Sequence, residues 1–234
     1  MQLFYNSTLK PHDTNFCFDK NESRHIVKVL RKNIGDKLLI TNGLGYFFEA
    51  DIIFNNPNKC EVKITKAISV SAKEYNIHLA VAPTKTNDRY EWFLEKATEI
   101  GVDTITPIIC NRSERKVIKI ERYEKILQSA AKQSLRAFFP TLNPAIRFSE
   151  FVKNITIETR FIAHCLGNKK VHLKDIIPNK KDILILIGPE GDFTPDEIKI
   201  AQESGFKAVS LGNARLRTET AAIVACHTIE LCNA

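Results

Sequence analysis

The chain has 234 residues, 44% of them hydrophobic and 26% charged, and it carries a formal net charge of +7 at pH 7. This composition is that of an ordinary soluble globular protein, with room for one large domain or for a small and a medium one. The longest apolar runs, such as Ile183 to Ile187, are far below the roughly 20 residues that a bilayer span needs, which excludes a membrane-spanning protein.

Residues 1–70 predict a small strand-rich domain with one helix. In chain order, the predicted elements are a helix over 25–31 and strands over 37–41, 46–54 and 60–65. Asn42-Gly43 lies between the first two strands, and this dipeptide is a strong hairpin signal. A small β-barrel is the natural packing for such strands.

A small, polar segment over 69–74 predicts a domain boundary, after which strands and helices alternate throughout a second domain, 74–234. The predicted strands are 76–82, 104–110, 160–165, 183–187 and 208–211, and the predicted helices are 88–100, 121–138, 194–204 and one from Thr218 onward. This alternation indicates a mostly parallel sheet with helices on both faces. Ligands of such sheets bind beyond the carboxyl ends of the strands.

Two glycine-bearing loops follow predicted strands at that edge, and each ends at a helix start. The first runs Ile-Gly-Pro-Glu-Gly-Asp-Phe over 187–193, and the second runs Leu-Gly-Asn-Ala-Arg-Leu-Arg over 211–217. Glycines allow a ligand to contact the backbone, whereas Glu190 disfavours a triphosphate and favours a neutral or cationic ligand. The leucines of the second loop are suited to enclosing an aromatic base. The alternative interpretation is two ordinary strand-to-helix turns.

The segment from Arg112 to Arg136 is strongly basic, with eight Lys or Arg residues against three acids. A charge run of this length is usually a solvated helix face. However, Arg112 and Arg115 lie three residues apart in a predicted loop, an arrangement that suits contacts with phosphate.

The six cysteines include no Cys-x-x-Cys pair. His164-Cys165 and Cys226-His227 each resemble half of a metal site, but small buried thiols are the better interpretation, and we expect no metal. The N-terminus lacks a basic region followed by a long apolar one, so we expect no secretory signal and a cytoplasmic location.

The Ile-Gly-Pro-Glu-Gly loop, the capped helix from Thr194 and the Leu-Gly-x-x-x-Leu-Arg-x-Glu-Thr-Ala motif from Leu211 strongly resemble the SPOUT class of S-adenosylmethionine-dependent RNA methyltransferases. More narrowly, they resemble the RsmE family, which methylates N3 of a uridine in 16S ribosomal RNA of the small subunit. The resemblance extends over the whole chain, including Arg24-His25 and the Arg-Ser-Glu-Arg loop after Asn111. The sequence departs from the family pattern at Asp192, which replaces glycine, and at Thr86-Asn87.

The resemblance implies an α/β fold with a trefoil knot in the C-terminal domain, a PUA-like barrel before it, and a homodimer. The implied S-adenosylmethionine-binding residues are Leu166, Gly167, Ile187, Gly188, Pro189, Gly191, Leu211, Gly212, Leu216 and Thr218. The implied contacts to ribosomal RNA are Arg24, Arg31, Lys85, Arg112, Arg115 and Arg136.

Methylation at uridine N3 requires removal of a proton, and negative charge then develops on the carbonyl oxygens of the base. Arg217 is the first candidate to meet that charge, and Glu190 and Glu219 are candidate bases. For Glu219, a carboxylate that serves the helix dipole is an equal alternative. Two other functions stay open: methylation of another atom by the same fold, and an RNA-binding module without catalysis.

Overall fold

A computed structural model describes residues 2–167 and 170–233, and its contacts divide the chain into two units. The first unit comprises residues 2–72 and 131–139, and the second comprises 73–130 and 140–233.

The first unit is built on one five-stranded sheet in the order β1-β3-β4-β5-β2. Its strands are β1 (Leu3–Tyr5), β2 (Asn15–Cys17), β3 (Lys37–Thr41), β4 (Tyr46–Phe54) and β5 (Glu61–Ser69). Alternate residues of β4, namely Phe48, Ala50 and Ile52, are buried in a common core. Two register shifts between β4 and β5 bend the sheet, because an extra residue on one strand increases its local twist. The first unit is therefore one curled sheet with β1 and β2 at its edges, in agreement with the predicted small barrel.

The predicted hairpin joins β3 to β4, which pair antiparallel. Asn42 Oδ1 accepts hydrogen bonds from the amides of Leu44 and Tyr46, which closes the turn. Gly45 has φ 96°, and a Cβ at this position would overlap the ring of Phe138. Backbone hydrogen bonds join this hairpin to residues 137–139, which explains why that distant segment belongs to the first unit.

In place of the predicted helix over 25–31, the structure has a short α-helix that continues as a π-helical turn. Helix α1 (Lys20–Arg24) is capped by Asp19 and continues as a π-helical turn, His25–Val29. Arg31 has φ 54°, a left-handed conformation that ends the helix. The turn leaves Arg24 and Arg31 exposed.

The second unit contains a parallel sheet in the order β11-β13-β10-β12-β6-β7-β8, with β9 also paired to β7. Its strands are β6 (Ile77–Val81), β7 (Thr104–Ile109), β8 (Thr141–Leu142), β9 (Ile146–Arg147), β10 (Thr159–Ala163), β11 (Val171–His172), β12 (Ile183–Ile187) and β13 (Lys207–Ser210). The remaining helices are α2 (Asn87–Ile100), α3 (Ile120–Gln133), α4 (Phe148–Phe151), α5 (Pro195–Glu203) and α6 (Thr218–Asn233).

Both faces of this sheet are covered. Ile183, Ile185 and Ile187 of β12 belong to a core that includes residues of α2 and α6, whereas Leu184 and Leu186 belong to a second core that includes residues of α4 and α5. A strand buried on both sides carries apolar residues at successive positions, as β12 does. The predicted layer arrangement is confirmed.

Strand β13 lies between β10 and β11, although both precede it in the chain. Ala163 at the end of β10 and Val171 at the start of β11 both pair with Val209. Strands β10 and β11, which are consecutive in the chain, therefore flank β13 on opposite sides. Helix α6, which follows β13, packs against β6 and β12. Insertion of β13 between two strands that precede it in the chain agrees with the implied knot.

The third predicted helix ends earlier than expected, at Gln133 instead of residue 138. Leu135 has φ 53°, which is incompatible with continuing an α-helix. No helix within residues 2–167 and 170–233 has the length and apolar character needed to cross a membrane.

Candidate active site

A cavity of about 890 Å³ opens at the carboxyl ends of β10, β12 and β13. Both glycine loops contribute to its wall, as the sequence predicted. The predicted residues that line it are Gly167, Gly188, Pro189, Glu190, Leu211, Gly212, Leu216, Arg217 and Thr218. The parallel sheet therefore places both glycine loops where ligands of such folds bind.

Four predicted site residues do not line this cavity. Ile187 is 2% exposed and packs in the core. Leu166, Gly191 and Glu219 are likewise absent from the walls of the cavity. Conversely, the sequence did not predict that residues 170–175 form part of the cavity wall, to which they contribute Lys170, His172 and Asp175. No periodic pattern marks that segment, and only the insertion of β13 beside β11 brings it to the cavity.

Gly188 fixes the path of the first loop. Its position is so close to the buried Phe193 that a Cβ would lie 3.0 Å from the ring. The Gly188 carbonyl oxygen accepts a 2.9 Å hydrogen bond from Thr218 Oγ1, at the start of α6. This bond joins the two glycine loops directly.

The middle of the first loop is held by neighbouring backbone and side-chain groups. Glu190 Oε1 accepts a hydrogen bond of 2.8 Å from the Lys85 amide, and Arg112 Nη1 donates one of 2.8 Å to the Gly191 carbonyl oxygen. Glu197, the N3 residue of a capping box on Thr194, also accepts from the amide of Asn111. These bonds preorganise the loop before any ligand arrives.

Arg115 stabilises the loop that precedes α2 through hydrogen bonds. Its guanidinium donates to the carbonyl oxygens of Thr84 and Lys85 and to Asn87 Oδ1. Asn87 is one of the two departures from the family pattern, and its side chain gives Arg115 a partner. The ammonium group of Lys85 pairs with Glu114 at 3.0 Å. Both Arg112 and Arg115 thus have intramolecular partners, in addition to any role with RNA.

Arg217 is exposed at the cavity wall, and its guanidinium has no partner in the described part of the chain. Glu219 is different: its side chain is 8% exposed and lies 3.9 Å from Arg89 Nε on α2. Its Oε2 atom is buried without a hydrogen-bond partner among residues 2–167 and 170–233. A buried carboxylate at the start of α6 agrees with the alternative interpretation of Glu219, in which it interacts with the helix dipole and does not act as a base.

His164 lies in the cavity wall at the end of β10, with both ring nitrogens buried and without a partner among the described residues. Burial, reinforced by the charge of Lys170, lowers the pKa of His164, and the nearby Asp192 carboxylate opposes this shift. The imidazole is therefore neutral at pH 7.

Of the other residues predicted to contact RNA, Arg24 and Arg31 belong to the first unit and are exposed, and Arg136 in the same unit is half-buried. Neither Arg24 nor Arg31 has a side-chain partner in the described chain. Their guanidinium groups are therefore available to phosphate.

No group of three or more His, Cys, Asp or Glu side chains in the described ranges is arranged to hold a metal ion. The expectation of buried thiols is correct for Cys60, Cys110 and Cys226 and wrong for the exposed Cys17, Cys165 and Cys232. Those three lie near element ends or in loops, where core packing does not cover them.

Comparison with known proteins shows which domains and relatives this chain is similar to. Residues 71–230 match an RNA methyltransferase domain, and residues 18–65 match an RNA methyltransferase PUA domain. A Ribosomal RNA small subunit methyltransferase E from Buchnera aphidicola subsp. Acyrthosiphon pisum is 35% identical, over 90% of this chain and 85% of that protein.

Two solved structures have the same fold over nearly the whole chain. A probable rRNA-methyltransferase from Porphyromonas gingivalis is 40% identical with a TM-score of 0.91, covering 99% of both chains. A Ribosomal RNA small subunit methyltransferase E from Neisseria gonorrhoeae, bound to S-adenosyl methionine, is 30% identical with a TM-score of 0.88, covering 100% of this chain and 98% of that one.

The fold and the cavity together define the class of RNA methyltransferases that combine a PUA domain with a mostly parallel α/β domain. The predicted fold class is confirmed. Within that class, the chain belongs to the Ribosomal RNA small subunit methyltransferase E family, as its motifs predicted.

Proposed function

We propose that this protein transfers a methyl group from S-adenosylmethionine to N3 of a uridine in 16S ribosomal RNA. The observation that carries the proposal is the cavity at the carboxyl edge of the sheet, formed by two glycine loops and bordered by the guanidinium of Arg217, which has no partner in the described part of the chain. Membership in the small-subunit methyltransferase family supports the choice of RNA.

The residues of the cavity fit S-adenosylmethionine. Glu190 places an acidic group in a wall that would face a sulfonium cation, and Leu211 and Leu216 supply apolar surface suited to adenine. The solved relative from Neisseria gonorrhoeae carries the same molecule. When bound, S-adenosylmethionine supplies an activated methyl group on sulfur.

The protein's own residues must remove the N3 proton and stabilise the resulting charge. Arg217, which lacks a partner in the described chain, can donate to a uracil carbonyl oxygen as that oxygen becomes negative. Glu190 is the better proton acceptor, because it lines the cavity and Glu219 does not. The Lys85 amide fixes Glu190 Oε1, and Oε2 has no partner among the described residues and can accept the proton.

The first unit provides the expected contacts with RNA phosphates. Arg24 and Arg31 are exposed beside the π-helical turn, and the whole chain carries a net charge of +7. Such residues can hold phosphates without reading sequence. The substrate is 16S ribosomal RNA or the small subunit itself, in the cytoplasm.

A homodimer is part of the same proposal. Trp92 on α2 and Leu231 on α6 are 44% and 65% exposed, and these two helices pack against each other. A second copy of the chain would cover such exposed apolar side chains. Analytical ultracentrifugation should give twice the chain mass of 26.6 kDa. A single species at 26.6 kDa at micromolar concentration would exclude the dimer.

Calorimetric titration with S-adenosylmethionine, followed by transfer of labelled methyl groups to purified ribosomal RNA, tests the activity. We expect binding, and label in small-subunit RNA as 3-methyluridine only. Binding with label in another nucleoside would indicate a different target atom. Absence of binding would indicate an RNA-binding module without catalysis.

A further inference from the structure

Asp192 has an uncommon backbone conformation in the wall of the cavity. Its φ is 63°, in the left-handed region that favours glycine. Three other non-glycine residues of the described chain share a positive φ, namely Arg31, Leu135 and Lys180, and none of them lines the cavity. A short polar side chain is tolerated here when it forms local hydrogen bonds. The Asp192 carboxylate forms two such bonds.

The two bonds reach different segments. Oδ1 accepts from the amide of Phe193, the next residue in the first glycine loop, at 2.8 Å. Oδ2 accepts from the amide of Cys165, which lies 27 residues earlier and follows β10, also at 2.8 Å. One carboxylate thus connects two walls of the same cavity.

The wall after β10 and the first loop leave paired strands, because β10 and β12 are joined up to Ala163 and Ile187. Beyond that pairing, few interactions in the described chain hold the wall against the loop. Cys165 and Gly167 are exposed, and among the described residues no atom lies within 4 Å of a Cβ placed on Gly167. The Lys170 ammonium group bonds to Leu166, within the same wall. Among residues 164–167 and 170, the Cys165 amide makes the one hydrogen bond to the 188–193 loop. Beyond the paired strand ends, Asp192 therefore provides the hydrogen bond that fixes the distance between these walls.

We infer that Asp192 is a positioning residue for the methyl donor: its carboxylate holds residues 164–167 against the first glycine loop and so preforms the cavity. This inference rests on the proposed function. A preformed cavity binds more tightly, because less ordering accompanies binding. Asp192 therefore sets the affinity for S-adenosylmethionine without taking part in methyl transfer.

Two substitutions separate the hydrogen bond from the backbone conformation. Asp192→Gly retains the left-handed backbone but removes the acceptor, whereas Asp192→Asn retains one acceptor oxygen and tolerates the same φ. By calorimetry, we expect Asp192→Gly to raise the Kd for S-adenosylmethionine about tenfold. The variant loses both bonds of the carboxylate, and the loss of the bond to the Cys165 amide, which joins the two walls, is the cause of this effect. Asp192→Asn should stay within about threefold of the wild type.

Kinetics distinguishes positioning from a general loss of structure. In Asp192→Gly, KM for S-adenosylmethionine should rise while kcat at saturation stays unchanged, because the reacting groups are untouched. Lys180→Gly is the matched control, since it relieves a similar left-handed residue, with φ 52°, outside the cavity. It should leave both constants unchanged.

Amide exchange provides a readout that does not depend on the ligand. The Cys165 amide should exchange slowly in the wild type and rapidly in Asp192→Gly. Equal exchange in the two proteins, or equal affinity for S-adenosylmethionine, would overturn the inference alone. Equal losses of affinity in Asp192→Gly and Asp192→Asn would also overturn it, since charge would then be the cause. A wild-type protein that fails to bind S-adenosylmethionine would overturn the proposed function as well.

Discussion

Thr218 Oγ1 donates a 2.9 Å hydrogen bond to the carbonyl oxygen of Gly188, and both residues line the cavity. Thr218 starts α6, and Gly188 directly follows β12, so one bond fixes the separation of the two glycine loops. Both residues are buried, which shields the bond from water.

Thr218→Val should weaken this connection. Valine preserves the branched shape but cannot donate, so the free energy of unfolding should fall by about 1 kcal/mol, the typical net value of one such bond. The Kd for S-adenosylmethionine should rise several-fold. Urea unfolding and calorimetry would measure the two effects, and Thr218→Ser, which retains the hydroxyl, should behave like the wild type. Unchanged affinity in Thr218→Val would show that the bond does not shape the cavity.

The two candidate bases can be compared directly. Glu190→Gln still accepts from the Lys85 amide, so the loop should keep its shape while kcat falls about 100-fold or more, the usual contribution of a general base. Glu219→Gln removes a charge that lies outside the cavity, and its kcat should change far less. Single-turnover rates of both variants would decide between them. A greater loss in Glu219→Gln would reverse the assignment.

Salt dependence tests the role of the first unit. Replacing Arg24 and Arg31 by alanine should weaken RNA binding and reduce the slope of log K against log salt by about 1.5, as expected for two lost phosphate contacts. Lys63→Ala with Lys66→Ala removes the same charge from exposed positions on β5 and is the control. If both double variants have the same slope, Arg24 and Arg31 make no specific phosphate contact.

Stability should depend on pH through His78. Burial lowers the pKa of His78 to about 4, while Thr106 Oγ1 lies 2.8 Å from its Nε2 atom. A histidine with a depressed folded pKa stabilises the protein fully above its unfolded pKa of about 6.5, and this stability is lost as the pH falls toward 4.

His78→Gln, which does not titrate, should therefore flatten the decline between pH 6.5 and 4 that urea unfolding measures. The wild-type slope from this group approaches about 1.4 kcal/mol per pH unit. His12→Gln, at an exposed position, should leave the decline as it is in the wild type. An equally steep decline in His78→Gln would assign it to other groups.

The sequence predicted most of the second unit, because its strands are continuous apolar runs and its helices begin at clear caps. Strand β12 matches the predicted bounds, and α5 has the predicted capping box on Thr194. Short elements were missed: β11 has two residues, too few to show a period. The wall that includes Lys170 and His172 was missed for the same reason.

The internal bonds of the site could not be read from the sequence. Arg112 and Arg115 have the charge and spacing of phosphate ligands, yet their guanidinium groups bond to backbone carbonyl oxygens of neighbouring loops. Charge pattern indicates where cations lie along the chain but not which groups they meet after folding. Likewise, the sequence marked Asp192 as a departure without revealing its bond to Cys165.

Nucleoside mass spectrometry of small-subunit ribosomal RNA tests the claim that this protein methylates uridine N3 there. We predict that 3-methyluridine is absent from cells that lack this protein and returns when the wild-type chain is supplied. The Arg217→Ala chain should restore little of it, since loss of one group that stabilises developing charge lowers kcat about 100-fold or more. Persistence of 3-methyluridine in cells without the protein would contradict the claim.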